Sequence, residues 1–75
     1  METLVFTYFK IIENNGEYSD RGSYAEFPRA LKAMENDYDW WDPNKKMWIC
    51  QVNIFRCDDG EIKIKETVIC EKRQN

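Results

Sequence analysis

The chain has 75 residues, net charge −3 from fourteen acidic and eleven basic side chains, 43% hydrophobic and 15% aromatic content, and no histidine. That is one domain, too apolar for a disordered tail and too short for more than one small core, with its aromatics compensating for size. The acidic balance argues against a protein that lives on nucleic-acid phosphates, and the absence of histidine removes the commonest acid–base residue and metal ligand.

Thr3 to Glu13 (TLVFTYFKIIE) is rich in β-branched and aromatic residues and reads as a strand. Both of its parities are largely apolar, so it is expected to be central in its sheet. Asn14-Asn15-Gly16 turns the chain into a short polar strand, about Glu17 to Tyr24, with a bulge at Asp20-Arg21-Gly22 suited to an edge. A three-residue loop with Gly16 in the left-handed conformation keeps Ile12 opposite Tyr18, whereas a two-residue turn sets Ile12 against Ser19.

Ser23-x-x-Glu26 resembles a capping box, but a helix starting there puts Pro28 where its missing N–H costs a bond. Starting near Phe27 places Pro28 in the first turn, and Phe27, Ala30, Leu31 and Met34 then share one face. The helix is expected over about residues 26 to 37.

Met47 to Cys57 reads as a strand with Trp48, Cys50, Val52 and Ile54 toward the core. Asp58-Asp59-Gly60 turns into Glu61 to Glu71, with Ile62, Ile64, Val68 and Cys70 on that same face. A three-residue loop pairs Ile54 with Ile64 and Cys50 with Val68. Glu66 then falls among core positions opposite Val52, a misfit that a bulge at Glu66-Thr67 or an edge location would relieve. Lys72 to Asn75 is expected to fray. The sum is an α+β domain spanning residues 1 to 75, ordered ββαββ, with four antiparallel strands and one helix packed on one face.

No catalytic constellation emerges, and the expectation is a non-enzyme without cofactor or metal. Ser19 and Ser23 lack a base, and Cys57 beside Asp58 and Asp59 is in the wrong environment for a thiolate. Asp37-x-Asp39 starts like a calcium loop, but Trp41 and Asp42 break the ligand pattern. Cys50, Cys57 and Cys70 have no metal spacing and read as free thiols of a cytoplasmic protein. No apolar run approaches a membrane span.

Two surfaces attract a binding reading. With the helix over Leu4, Phe6, Ile54 and Ile64, the opposite face offers Val5, Phe9, Ile11, Ile49, Phe55 and Ile69, among Lys63, Lys65, Gln51 and Asn53. Such a patch suits a homodimer interface or, as the alternative function, a platform for single-stranded nucleic acid. The second is DYDWWDPNKKMW, residues 37 to 48. Trp48 belongs to a strand, and Tyr38 is placed to cap the helix against the sheet. Trp40 and Trp41, being adjacent, cannot easily both point inward, so one plugs the core and the other is exposed, flanked by Asp39 and Asp42. Asp37, Tyr38, Asp39, Trp40, Trp41 and Asp42 are thus the candidate partner-binding residues, against a bland reading of the stretch as a core corner built from loop-forming Asp and Asn. The partner expected is a protein with a basic groove.

In size, acidity, aromatic content and ββαββ order, the chain resembles the small acidic inhibitor proteins of bacteriophages and mobile elements, including anti-restriction and anti-CRISPR proteins. The resemblance implies a stoichiometric antagonist of host defence acting in the host cytoplasm, and carries over no individual residue.

Overall fold

A computed structural model describes the backbone of residues 1–13 and 17–72 and the side chains of residues 1–13 and 22–72. The elements are β1 (Glu2–Glu13), β2 (Glu17–Tyr24), α1 (Phe27–Glu35), β3 (Met47–Cys57) and β4 (Ile62–Glu71). They form one antiparallel sheet in the order β2-β1-β3-β4, with β1 and β3 central as their doubly apolar sequences require.

Register follows from side-chain parity. Ile12 pairs with Tyr18 and Glu13 with Glu17 across the first hairpin, whose loop, Asn14 to Gly16, lies outside the described residues. Four β2 residues, 19 to 22, stand against the single β1 residue Ile11 before Ser23 meets Lys10, an irregularity of three extra residues with Gly22 at φ +80°. In the second hairpin Ile54 pairs with Ile64 and Cys50 with Val68. Its three-residue loop is closed by hydrogen bonds from Cys57 N to Glu61 O and from Gly60 N to Cys57 O, and Gly60 takes φ +86°. The β4 bulge falls between Val68 and Cys70 rather than at Glu66-Thr67, and Glu66 stays opposite Val52.

The helix begins as Pro28 dictates, one residue later than expected, with Glu26 at the N-cap, and ends two residues short of Asp37. Ser23 pairs in β2 instead of capping.

The helix covers the opposite face of the sheet from the one expected. Ile11, Ala30, Met34, Met47 and Ile49 form the buried core, with Phe9, Tyr24, Phe27, Leu31, Ala33, Trp40 and Cys70 packed against it. Phe9 and Ile49 therefore lie under the helix and are not part of an open surface. Trp48, Cys50, Val52 and Ile54 belong to the uncovered side. Charge decides the matter. At this end the buried positions of one parity, Phe9, Ile11, Met47, Ile49 and Cys70, are uncharged, and its charge in β1, Glu13, stands at the strand end where Lys45 meets it; the other parity carries Lys10 and Glu66 in mid-sheet, and Glu71. An apolar helix laid over the second set would strand charges in a dry interior, at a cost of several kcal/mol. Each of Ile11, Met34, Met47 and Ile49 contributes roughly 1.5–3 kcal/mol by leaving water.

The helix reaches only part of the sheet, and the molecule is long, 47 × 22 × 20 Å. Beyond it the helix side becomes mostly polar: Thr7 donates to Asn53 Oδ1 at 2.7 Å and Gln51 Nε2 to the same oxygen at 3.3 Å. On the uncovered side the Lys10 ammonium pairs with Glu66. Because β3 lies between those two strands, the lysine stem crosses it, and it helps keep Cys50 and Val52 buried on a face without a helix. No helix among the described residues is long and apolar enough to cross a membrane.

Candidate functional site

Residues 37 to 46 connect α1 to β3 as a braced loop. Asp37 sits just past the helix end, its N–H bonded to Met34 O, and is buried. Its Oδ1 accepts the Asp39 N–H at 2.8 Å and faces the Lys45 ammonium at 3.0 Å. Lys45 also approaches Asp39 at 3.6 Å and Glu13 of β1 at 3.8 Å. The hydrogen bond to Asp37 holds the Lys45 ammonium above its ordinary pKa; burial works against the shift, and the charges of Asp37, Glu13 and Asp39 add to it. Asp42 repeats the local turn chemistry by accepting the Asn44 N–H.

A second brace comes from Lys72, a residue expected to fray. Its N–H donates to Met47 O, extending the β3–β4 pairing, and its ammonium donates to the carbonyls of Asp42 at 2.8 Å and Lys45 at 2.9 Å. The same ammonium lies 5.2 Å from the centre of the Trp40 ring. Arg73 to Asn75 lie outside the described residues.

With both ends tied, the two tryptophans separate. Trp40 packs against the helix-side core and is the plug, whereas Trp41 is 76% exposed. Tyr38 does not cap the helix; it is 88% exposed, because the position against the sheet is taken by Trp40. Asp39 and Asp42 are half-buried. Of the six residues singled out in the sequence, Asp37 and Trp40 are thus framework, Tyr38 and Trp41 are the presented groups, and Asp39 and Asp42 form the acidic rim. An open groove of about 300 Å³, lined by Lys46, Met47, Trp48, Glu71 and Lys72, lies beside the loop. Sequence reasoning missed Lys45 and Lys72. The Lys72 contacts join residues 30 and 27 apart in the chain, and lysines carry no periodic signal that reports such a pairing.

The proposed open-sheet set disperses. Val5 stands at the β1 bulge and Ile69 at the β4 bulge, both exposed, while Phe9 and Ile49 are in the core. Phe55, Lys63 and Lys65 lie on the helix side of the sheet but beyond the helix. There Glu2 takes Lys63 at 3.3 Å and Lys65 at 3.5 Å, and Lys65 also lies 5.2 Å from the Phe55 ring centre. The Lys63 hydrogen bond, and next the Lys65 charge, hold the Glu2 carboxyl below its ordinary range.

For chemistry the arrangement offers little. The Cys50 thiol is pushed up in pKa by burial and by the neighbouring Glu66 charge, the reverse of what a nucleophile needs. Among the described residues no group of His, Cys, Asp or Glu is placed to hold a metal ion. Comparison with protein-family models, with curated proteins and with solved structures gives no match for this chain.

Proposed function

We propose that this chain is a non-enzymatic binding protein that recognises a protein partner through Tyr38 and Trp41, presented on the loop of residues 37–46. The observation that carries the reading is a tryptophan 76% exposed on a loop fixed at both ends by buried or partly buried lysines. Large exposed aromatics are the residues most often found at binding hot spots, and a loop already ordered loses little entropy when it docks. Asp39 and Asp42 beside them, on a chain of net charge −3, suit a partner with a basic groove. The form of action best fitted to a small domain of this kind is stoichiometric blocking. The resemblance to phage-type inhibitors then makes a host defence protein, in the host cytoplasm, the target class.

The alternative, a single-stranded nucleic-acid binder, is less favoured because the two lysines meant to follow phosphates, Lys63 and Lys65, are both held by Glu2. Parallel capture with the wild-type chain and with Trp41→Ala tests the proposal. A protein retained by the first and lost by the second, binding one-to-one once purified, supports it. Retention of the same proteins by both, or tight oligonucleotide binding that weakens steeply with salt, overturns it.

A further inference from the structure

The side of the sheet away from the helix is apolar where the helix side has turned polar. Phe6, Ile54 and Ile64 are paired neighbours across three strands and form one apolar row, extended by Tyr8, whose ring centre is 6.0 Å from that of Phe6, and by Ile62 and Val68. Phe6, Ile62, Ile64 and Val68 are all more than half exposed, Ile64 the most at 62%. Taking ~150–250 Å² for a large side chain fully exposed, the group offers roughly 500 Å² of apolar surface. That is at the upper end of what a monomer usually shows. Two such patches together remove roughly 1,000 Å² from water, the lower bound of a specific interface.

We propose that this face is covered by a second copy of the chain, packed face to face about a two-fold axis that reverses strand direction. Charge on this face points to a copy rather than to a foreign protein. Arg56 stands beside Ile62 at one end, and Glu71 stands beside Trp48 at the other. The Val52 row is midway between them, and there Lys10 and Glu66 neutralise each other. A stripe whose strand residues are positive at one end, negative at the other, and between them apolar apart from one neutralised pair is complementary to itself when reversed. Under that operation the Ile64 row of one copy meets the Val68 row of the other, and Arg56 meets Glu71 of the partner. Both helices, and the loops that pack from the helix side through Trp40, stay on the outer faces, so the dimer presents two Trp41 sites and can bind a repeated partner with avidity. The inference stands independently of what that loop binds.

Sedimentation from micromolar to near-millimolar concentration should show the wild-type mass rise from 9.1 kDa toward twice that value. Ile64→Glu, on an exposed site, should hold the mass at the monomer value with an unchanged circular dichroism spectrum. Arg56→Glu should weaken the dimer several-fold, and adding Glu71→Arg should restore it. In the wild type, which needs no substitution to fold, methyl resonances of Ile62, Ile64 and Val68 should shift with concentration while those of Ile49 stay fixed. A wild type that remains monomeric, a folded Ile64→Glu variant that still dimerises, or concentration-dependent shifts outside this face would each overturn the inference.

Discussion

The brace under the loop can be broken one residue at a time. Lys45→Met keeps the stem that covers the loop interior but removes the ammonium that faces Asp37 at 3.0 Å. The Asp37 side chain is only 3% exposed, so its carboxylate is left without its main cation in a nearly dry site. Removing one partner of a buried pair costs ~3–5 kcal/mol when the remaining charge stays buried. Here the loss has a ceiling, because the loop can detach and hydrate Asp37 at the expense of the Trp40 packing and the Lys72 contacts. About 2–3 kcal/mol is therefore expected in urea unfolding followed by tryptophan fluorescence. In the double variant with Asp37→Asn the buried carboxylate is replaced by a neutral amide, and only the more exposed Glu13 and Asp39 lose a cation, so its destabilisation should be smaller than the sum of the two single changes by ~1 kcal/mol or more. The pH dependence has a fixed sign. The Lys45 pKa is raised in the folded state, so its contribution is full below the ordinary value of 10.5 and fades as pH climbs through the folded value. Lys45→Met should remove that alkaline loss. A Lys45→Met cost below about half a kcal/mol, or strict additivity in the cycle, would refute the view that this pair frames the loop.

Other changes separate packing from backbone effects. Ile49→Ala, beneath the helix with no exposure, should cost ~2–5 kcal/mol in chemical denaturation of dilute protein, and Ile54→Ala on the uncovered side distinctly less. Gly60→Ala should cost about 1 kcal/mol although a Cβ there meets nothing within 4 Å, since the whole penalty is the φ of +86°. Cys50 in the native protein should resist alkylation at neutral pH and react at the full rate only after denaturation; rapid native labelling would contradict its raised pKa.

Most of the fold was legible in the sequence because side-chain period and loop length act together. Only three-residue loops keep Ile12 with Tyr18 and Ile54 with Ile64, and the structure has those pairs. The side on which the helix packs was misread for a physical reason: β1 and β3 are apolar on both parities, so hydrophobicity alone does not choose between them. The deciding signal is where the charges stand: Glu66 and Lys10 fall in mid-sheet on one parity, whereas Glu13 on the other sits at a strand end within reach of Lys45, so the helix covers the second and not the first. Within the site, the rule that adjacent tryptophans diverge was sound, but which one turned inward depended on Lys72, far away in the chain. Tyr38 was misplaced because a helix-end aromatic and a loop tryptophan compete for the same space, and parity says nothing about the winner.

The binding reading rests on Trp41 being a presented group and not a structural one, and one paired measurement addresses that. With a purified partner, dissociation constants are determined for the wild type and for Trp41→Ala, and unfolding free energies are measured on the same preparations. The expected result is affinity weakened by about 30-fold or more, the equivalent of ~2 kcal/mol, with stability changed by no more than about half a kcal/mol. Unchanged affinity in a stable Trp41→Ala variant would contradict the account, and so would a loss of affinity that merely tracks a loss of fold.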